Sequence, residues 1–235
     1  MVDKKKLRAS SPPISGIYDI KVEAINFKML CIQSDDTSVV DRVLNEAHYD
    51  SALSQWQSWS QNEGAYIDIG AHTGLYTLVA MGSNQGNKVI TFEPLPINYF
   101  RILSNLRLND LKYSKKVKVY NLAVSDKNKD VNFTIPSDQS YLSKGGKIEK
   151  QMQGLRTKAI HLDSLNIADN IKINGIKIDT EGEDLNVLKG GLNLITKFMP
   201  KLMIETRRDN YYGIINLLKA IGYQDIYTFN DNEKD

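Results

Sequence analysis

Short apolar runs and helix-period segments follow one another along most of the chain. The apolar runs have the length of buried strands, and the segments between them repeat apolar positions at helical spacing. The predicted strands are residues 65–69, 88–92, 117–122, 174–178 and 201–205. The predicted helices are residues 73–82, 96–108, 183–195 and 210–221. Strands that alternate with helices indicate an α/β fold with a Rossmann-like, doubly wound and mostly parallel sheet.

Two further patterns precede this alternation. Residues 17–33 partly alternate apolar and polar positions, which predicts a short β-hairpin. Residues 38–60 lack Gly and Pro and have a helical pattern of apolar positions. We therefore divide the chain into two parts. Residues 1–60 form an N-terminal arm, hairpin and helix that pack on the core, and residues 61–235 form the main domain.

A third pattern interrupts the alternation. Residues 131–135 and 155–165 look like strands of an inserted β-hairpin, and residues 136–154 between them form a polar loop with several lysines. Two interpretations remain open for this loop. It is a solvent-exposed hairpin tip, or it is a flap that faces a substrate, because long loops in compact domains are often functional.

Composition and charge exclude several classes of protein. The chain has 235 residues and a formal net charge of +2, which is too small for dedicated nucleic-acid binding. No apolar run reaches the ~18–20 residues of a membrane span. The single cysteine, Cys31, excludes an intrachain disulfide and a cysteine-cluster zinc site. The basic residues at 4–8 are followed by Ser and Pro rather than by an apolar stretch, so we expect a location in the cytoplasm or in another reducing compartment.

Residues 68–74, DIGAHTG, join a predicted strand to a predicted helix. The glycines allow a tight turn, and the backbone N–H groups at the helix start can bind a ligand. Their spacing is G-x-x-x-G, whereas a nicotinamide site has G-x-G-x-x-G. Asp68 would repel a pyrophosphate but attract an ammonium group, such as that of S-adenosylmethionine (SAM). The turn therefore favours SAM as its ligand, and the alternative is a purely structural strand–helix turn.

Glu93 ends the second predicted strand of the alternation, and Pro94 then stops that strand. An acidic residue roughly 20 positions beyond a glycine turn can accept hydrogen bonds from both ribose hydroxyls of a nucleoside. The alternative is a charged residue at the entrance of a helix. Asp68, the glycines and Glu93 together predict a SAM site.

The stretches that carry these residues resemble the FkbM-type SAM-dependent methyltransferases. The resemblance covers residues 64–228 and rests on YIDIGAHTGLYTL, TFEPLPINYFRILSNLRLN, NLAVSD, HLDSL, IKIDTEGEDLNVLKGG and PKLMIE. It implies the fold of the class I SAM-dependent methyltransferases and the methylation of hydroxyl oxygens, on sugars or on natural products. His72 departs from the family pattern, which more often has asparagine at this position.

The resemblance also completes the predicted cofactor site. By analogy, the backbone after the third predicted strand, residues 117–122, would lie along the edge of the adenine ring. The full set of predicted cofactor-binding residues is Asp68, Gly70, Ala71, His72, Gly74, Glu93, Pro94, Ala123, Val124 and Asp126.

Carboxylates also follow the fourth and fifth predicted strands, at Asp179, Glu181 and Glu205. Methyl transfer to an alcohol needs a base or a metal ion, because an alcohol has a pKa far above neutral. These carboxylates can serve as the base or as ligands of Mg²⁺. The metal option rests on analogy with catechol O-methyltransferase, whose magnesium ligands follow the same two strands. We expect Asp179 to be ligand or base, with Glu205 and Glu181 supporting it.

His161 is a further candidate base, with a structural histidine as the alternative. The polar and basic stretch at 136–158 favours a sugar or glycan as the acceptor. Arg207 and Arg208 can hold a phosphate-linked sugar. We therefore predict a SAM-dependent O-methyltransferase that acts on a sugar or glycan.

Three alternatives remain beside that prediction. The acceptor can be a hydroxyl of a small natural product or lipid, or the 2′-hydroxyl of an RNA ribose. The third alternative is a SAM-fold module that has lost catalysis. A nucleic-acid base amino-methylase is disfavoured, because residues 179–182 read DTEG where such enzymes have an N/D-P-P-Y/F-like loop.

Overall fold

The computed structural model describes residues 15–32, 51–109, 115–134, 147–149, 155–168 and 171–228. The strands are β1 (Gly16–Val22), β2 (Ile25–Cys31), β3 (Ala65–Ile69), β4 (Lys88–Phe92), β5 (Val117–Tyr120), β6 (Ala123–Val124), β7 (Lys129–Thr134), β8 (Lys147–Glu149), β9 (Leu155–Ile160), β10 (Ile173–Ile178) and β11 (Lys201–Ile204). The α-helices are α1 (Ser51–Ser60), α2 (Leu75–Ser83), α3 (Pro96–Asn109), α4 (Asp184–Gly190), α5 (Leu192–Phe198) and α6 (Arg208–Ala220), and a 3-10 helix spans Leu162–Ser164.

The centre of the fold is a five-stranded sheet with the order β11-β10-β3-β4-β5. Every neighbouring pair in this sheet is parallel. The predicted α/β fold with a doubly wound parallel sheet is confirmed. Because β3 and β10 are neighbours but distant in sequence, the chain reverses its direction of winding after β5, and the carboxyl ends of these two central strands lie side by side.

Side chains that alternate along the strands build two cores, one on each face of the sheet. Tyr66 packs with the hairpin and with α1 to α3, whereas its neighbour Ile67 packs with α4 to α6. The same alternation puts Ile176 and Ile178 of β10 in the second core. Lys177 and Asp68 therefore point to the opposite face, toward the first core.

The predicted N-terminal hairpin is present as the antiparallel pair β1 and β2. It packs on the main domain, where the Leu30 N–H donates to Asn105 at 2.8 Å and Arg101 donates to the Leu30 carbonyl at 2.9 Å. Of the predicted helix over 38–60, residues 51–60 are helical, and residues 38–50 lie outside the described part. The arm at 1–14 also lies outside it.

The inserted hairpin belongs to a second sheet with the order β6-β9-β7-β8. Its strands β7 and β9 are antiparallel, as predicted. The predicted strand over 155–165 is too long, since it ends at Ile160 and the chain then forms the 3-10 helix. Of the predicted loop over 136–154, only 147–149 is described, and it is a strand. The predicted strand over 117–122 also ends early, at Tyr120.

The predicted helix over 183–195 is in fact two helices, α4 and α5. They meet at Gly190 and Gly191, where a Cβ on Gly190 would lie 2.2 Å from the Ser125 carbonyl oxygen. The break lets the chain pass close to the second sheet. Beyond α6, residues 221–228 form no strand. Within the described ranges, no helix has the length and apolar character that crossing a bilayer requires.

Candidate functional site

The glycine-rich turn between β3 and α2 has the left-handed backbone that its residues suggest. The φ angles are +73° at Gly70, +52° at His72 and +91° at Gly74. Histidine is one of the residues enriched at positive φ, so His72 suits this turn. The Gly70 and Ala71 N–H groups donate to the Phe92 carbonyl at 3.0 and 3.1 Å and fix the turn to the end of β4.

Asp68 lies beneath this turn, in the interior. Its side chain is fully buried; Thr77 donates to Oδ2 at 2.6 Å, and Lys177 Nζ lies 3.9 Å from Oδ1. Burial raises the pKa of Asp68, although Lys177 and the Thr77 hydrogen bond oppose the shift. The residues that line the neighbouring cleft do not include Asp68. Its contact with the ammonium group of SAM stays a prediction.

Glu93 lies at the carboxyl end of β4 and is only 4% exposed. Its two carboxylate oxygens accept the His72 N–H at 2.8 Å and the Leu95 N–H at 2.9 Å. Burial raises the pKa of Glu93 to about 7, and the two backbone hydrogen bonds only partly oppose this rise. Glu93 thus joins the glycine turn to the start of α3.

The raised pKa of Glu93 makes the stability of the fold depend on pH. The folded chain binds this proton more tightly than the unfolded chain, in which the pKa is near 4.5. The contribution of Glu93 to the free energy of unfolding is therefore complete below about pH 4.5 and is lost as the pH rises to about 7. In the wild type, we expect Glu93 to lower the free energy of unfolding by ~2–3 kcal/mol between about pH 5 and pH 8. Glu93→Gln cannot titrate, so it should lack this decrease.

Urea denaturation of both proteins across this pH range measures the effect. The amide also changes the hydrogen bonds to His72 and Leu95, but that cost does not vary with pH. Asp130→Asn is the matched control, because Asp130 is a surface carboxylate whose partner is Arg156, at 2.7 Å. Parallel pH profiles for wild type and Glu93→Gln would contradict the prediction.

A large open cleft of about 1680 Å³ runs from the glycine turn past the ends of β10 and β11. Ten of the predicted site residues line it: Gly70, Ala71, His72, Glu93, Pro94, Ala123, Val124, Asp179, Glu181 and Glu205. The predicted cofactor turn and the predicted catalytic carboxylates therefore share one cavity.

Asp179 and Glu205 lie beside each other at the ends of neighbouring strands. The Asp179 N–H donates to the Ile69 carbonyl at 3.0 Å, and the Glu205 N–H donates to the Ile178 carbonyl at 2.9 Å, so both residues continue the register of the sheet. Repulsion by Asp179, together with burial, raises the pKa of Glu205 to about 7, and Lys177 opposes the rise. A carboxyl group that keeps its proton near neutral pH suits acid–base chemistry.

Lys177 completes this group. It is 6% exposed, and its Nζ donates to Asp179 Oδ2 at 3.0 Å. Burial alone would lower the pKa of Lys177, but the charges of Asp179 and Asp68 outweigh it and the pKa is raised. The ammonium group therefore lies between the predicted cofactor turn and the predicted catalytic pair.

Glu181 follows in the loop after β10, with a φ of +54°. Its carboxylate accepts from Arg207 at 2.5 Å. Asp184 holds the same loop by accepting from the Thr180 N–H at 3.0 Å and from the Thr180 hydroxyl at 2.7 Å. The loop is thereby fixed at both ends.

These contacts do not support the predicted Mg²⁺ site at Asp179, Glu181 and Glu205. Lys177 already neutralises Asp179, and Arg207 already neutralises Glu181. In the part of the chain that the structure describes, no group of three His, Cys, Asp or Glu side chains is arranged to hold a metal ion. The metal prediction therefore finds no support in the described residues, and Asp179 keeps the role of candidate base.

Three other predicted residues contribute no surface to the cleft. His161 starts the 3-10 helix, where its N–H donates to Asn128 at 3.1 Å. Asp126 pairs with Lys129 at 2.8 Å, a hydrogen bond that lowers the pKa of Asp126. Gly74 caps the start of α2 and packs on Ile102. Their predicted roles in catalysis and cofactor binding stay predictions.

Lys177 and Asn98 are among the cleft residues that sequence reasoning missed. Lys177 is a cation within a mostly apolar strand, two positions before Asp179. Asn98 lies in the first turn of α3, is 1% exposed and has an Oδ1 without a hydrogen-bond partner. A buried polar atom that faces a cavity without a partner is available to a ligand.

The comparisons with known proteins agree with this architecture. The model of the Methyltransferase FkbM domain family matches residues 68–224. Among curated protein sequences, none matches the chain significantly.

Solved structures give distant matches. The precorrin-6y C5,15-methyltransferase from Geobacter metallireducens is 12% identical with a TM-score of 0.44, and the match covers 77% of this chain and 75% of that one. TYW2 of M. jannaschii, solved with AdoMet, is 12% identical with a TM-score of 0.38, and the match covers 90% and 74%. The N-terminal domain of human METTL16, solved with SAH, is 12% identical with a TM-score of 0.39, and the match covers 78% and 58%.

The family match includes the glycine turn, Glu93, Lys177, Asp179 and Glu205. It spans about two thirds of the chain and every strand of the central sheet except the first residues of β3. The chain therefore belongs to the FkbM family of SAM-dependent methyltransferases.

Proposed function

We propose that the protein is an O-methyltransferase that transfers a methyl group from SAM to a hydroxyl of a sugar or glycan. The observation that carries this proposal is the position of Asp179. Its carboxylate accepts from Lys177, lies beside Glu205 and faces the same cleft as the glycine turn. A carboxylate at this place can take the proton of an acceptor hydroxyl.

The cleft has groups that suit SAM. The Glu93 carboxylate and the unpartnered Asn98 Oδ1 lie in one wall of the cleft. Hydroxyl and amino donors of a nucleoside can satisfy Glu93 and Asn98, and the carboxylates favour a cation nearby. Bound SAM supplies a methyl group on a positively charged sulfur, which makes its carbon an electrophile.

The protein's own part is to align the acceptor and to remove its proton. Alignment of two bound reactants supplies a large part of the acceleration in such a displacement. Lys177 Nζ donates to Oδ2 of Asp179, and we assign Oδ1 to the acceptor hydroxyl. The acceptor oxygen forms the new bond to the methyl carbon while the carbon–sulfur bond breaks, the sulfur leaves with that electron pair as a neutral thioether, and the hydroxyl proton passes to Asp179. No metal ion takes part in this scheme.

The outer part of the cleft supports a sugar as the acceptor. Tyr212 and Tyr227 are largely exposed and line the cleft near Arg208 and the Arg207–Glu181 pair. Tyrosine offers an apolar ring and a hydroxyl donor, and the charged groups can bond to sugar hydroxyls. Arg208 can hold the phosphate of a phosphate-linked sugar. The proposed location is the cytoplasm, in keeping with the single, buried Cys31.

A mass-shift assay tests the proposal. The purified chain is incubated with SAM and separate panels of free sugars, nucleotide-linked sugars, glycans, lipid or polyketide alcohols and an RNA. A product heavier by one CH₂ unit in a sugar or glycan panel, on an oxygen located by fragmentation, would support the proposal. Transfer only to lipid alcohols, to RNA or to nitrogen or carbon atoms would overturn it.

A further inference from the structure

Lys177 is an unusual residue for its place in the sheet. It belongs to β10, whose neighbouring residues Ile176 and Ile178 are fully buried, and is itself 6% exposed. Burying a charged group is costly unless partners compensate for the lost water. An apolar side chain would fill this position without the desolvation cost of an ammonium group. The partners of the ammonium group therefore have to account for a lysine here.

The partners surround Nζ on three sides. Asp68 Oδ1 is 3.9 Å away on the interior side, and the centre of the Tyr76 ring is 4.7 Å away. The hydrogen bond at 3.0 Å goes to Asp179, on the side of the cleft. Because Asp68 and Asp179 lie on both sides, the side chain has little freedom to turn elsewhere.

The strand register explains how this arrangement arises. Lys177 pairs with Asp68 on β3, and Asp179 follows two positions later on the same face of β10. The Lys177 side chain can therefore lean along its own strand and reach the Asp179 carboxylate. A one-residue shift of either strand would move one partner to the opposite face.

We propose that Lys177 is a positioning residue for methyl transfer, which holds Oδ2 of Asp179 so that Oδ1 faces the acceptor hydroxyl. This inference rests on the proposed function, because it assigns Lys177 to the base of that reaction. Lys177 itself exchanges no proton and contacts neither reactant. The competing role is a cofactor contact, since Lys177 also lies beside Asp68 and lines the cleft.

Kinetics of Lys177→Met and Lys177→Arg separate these roles. With an acceptor from the mass-shift assay, we expect Lys177→Met to lower kcat ~100-fold or more and to leave the dissociation constant of SAM unchanged by calorimetry. Lys177→Arg keeps a cation and should recover part of the lost kcat. Lys88→Met, an exposed lysine at the start of β4, is the matched control and should keep wild-type kinetics. Weaker SAM binding with an unchanged kcat would overturn the proposal.

A double-mutant cycle makes the test independent of the acceptor. Unfolding free energies of Lys177→Met, Asp179→Asn and the double variant measure the coupling between the two side chains. Additive effects would overturn the positioning role, whatever the enzyme methylates. Clear coupling in a chain that methylates no hydroxyl would support the contact and count against the proposed function instead. A variant that does not fold is replaced by Lys177→Gln, which keeps a donor.

Discussion

Replacing Asp179 with asparagine is expected to lower methyl transfer ~100-fold or more while leaving the affinity for SAM unchanged. Asparagine has the same size and can still accept the hydrogen bond from Lys177, so the fold of the site should persist. It cannot take a proton from an acceptor hydroxyl. The chemical step should therefore fail although both reactants bind. Single-turnover rates and calorimetry with SAM measure the two effects separately.

Two further variants serve as a control and as a test of the alternative base. Asp130→Asn removes a carboxylate from a surface ion pair that is not part of the cleft lining, and it should leave both rate and affinity at wild-type values. Glu205→Gln removes the neighbour of Asp179 and should have a smaller effect than Asp179→Asn. If Asp179→Asn retains its activity and Glu205→Gln loses it, the base is Glu205 and the assignment of Asp179 is wrong.

The order of elements was predictable because apolar periodicity is strong in this chain. The runs at 65–69 and 88–92 match β3 and β4 residue for residue, since both are short, mostly buried runs that end at clear boundaries, glycines for β3 and polar residues for β4. The break between α4 and α5 was not predicted. The apolar positions continue through Gly190 and Gly191 at helical spacing, and the contact that forces the break comes from Ser125, which is remote in sequence.

The sequence predicted which residue types form the candidate site, but not the direction in which their side chains point. Asp68 belongs to a strand that is buried along its whole length, and its position on the turn suggested a residue open to a ligand. Only the register of the sheet reveals that it faces Lys177 in the interior. The Mg²⁺ prediction finds no support, because Lys177 pairs with Asp179 two positions along the chain and Arg207 pairs with Glu181 from a segment that is remote in sequence.

Register also couples the two halves of the site. Asp68 and Lys177 form one row across β3 and β10, and Ile69 and Ile178 form the next. Gly70 and Asp179 follow just beyond the strand ends, where their backbones approach closely. Residues in one row are neighbours on parallel strands, so a shift of the glycine turn displaces the candidate base. The absence of a side chain at Gly70 is what allows this close approach.

Gly70→Ala is therefore expected to destabilise the fold by more than ~4 kcal/mol, which is exceptional for a single methyl group. A Cβ at this position would lie 1.7 Å from the Asp179 carbonyl oxygen, and the φ of +73° is itself unfavourable for alanine. Backbone cannot move aside without breaking the hydrogen bond from the Asp179 N–H to Ile69. Urea denaturation measures the loss, and a variant that fails to fold would agree with the expectation.

Gly182→Ala separates the clash from the backbone strain. Gly182 also has a positive φ, +115°, but a Cβ there would meet no atom within 4 Å. Gly182→Ala should lower the free energy of unfolding by only ~1–2 kcal/mol, which is the cost of the left-handed conformation for alanine. Equal destabilisation by the two variants would mean that Gly70 does not approach Asp179 closely. The coupling of the cofactor turn to the candidate base would then have no steric origin.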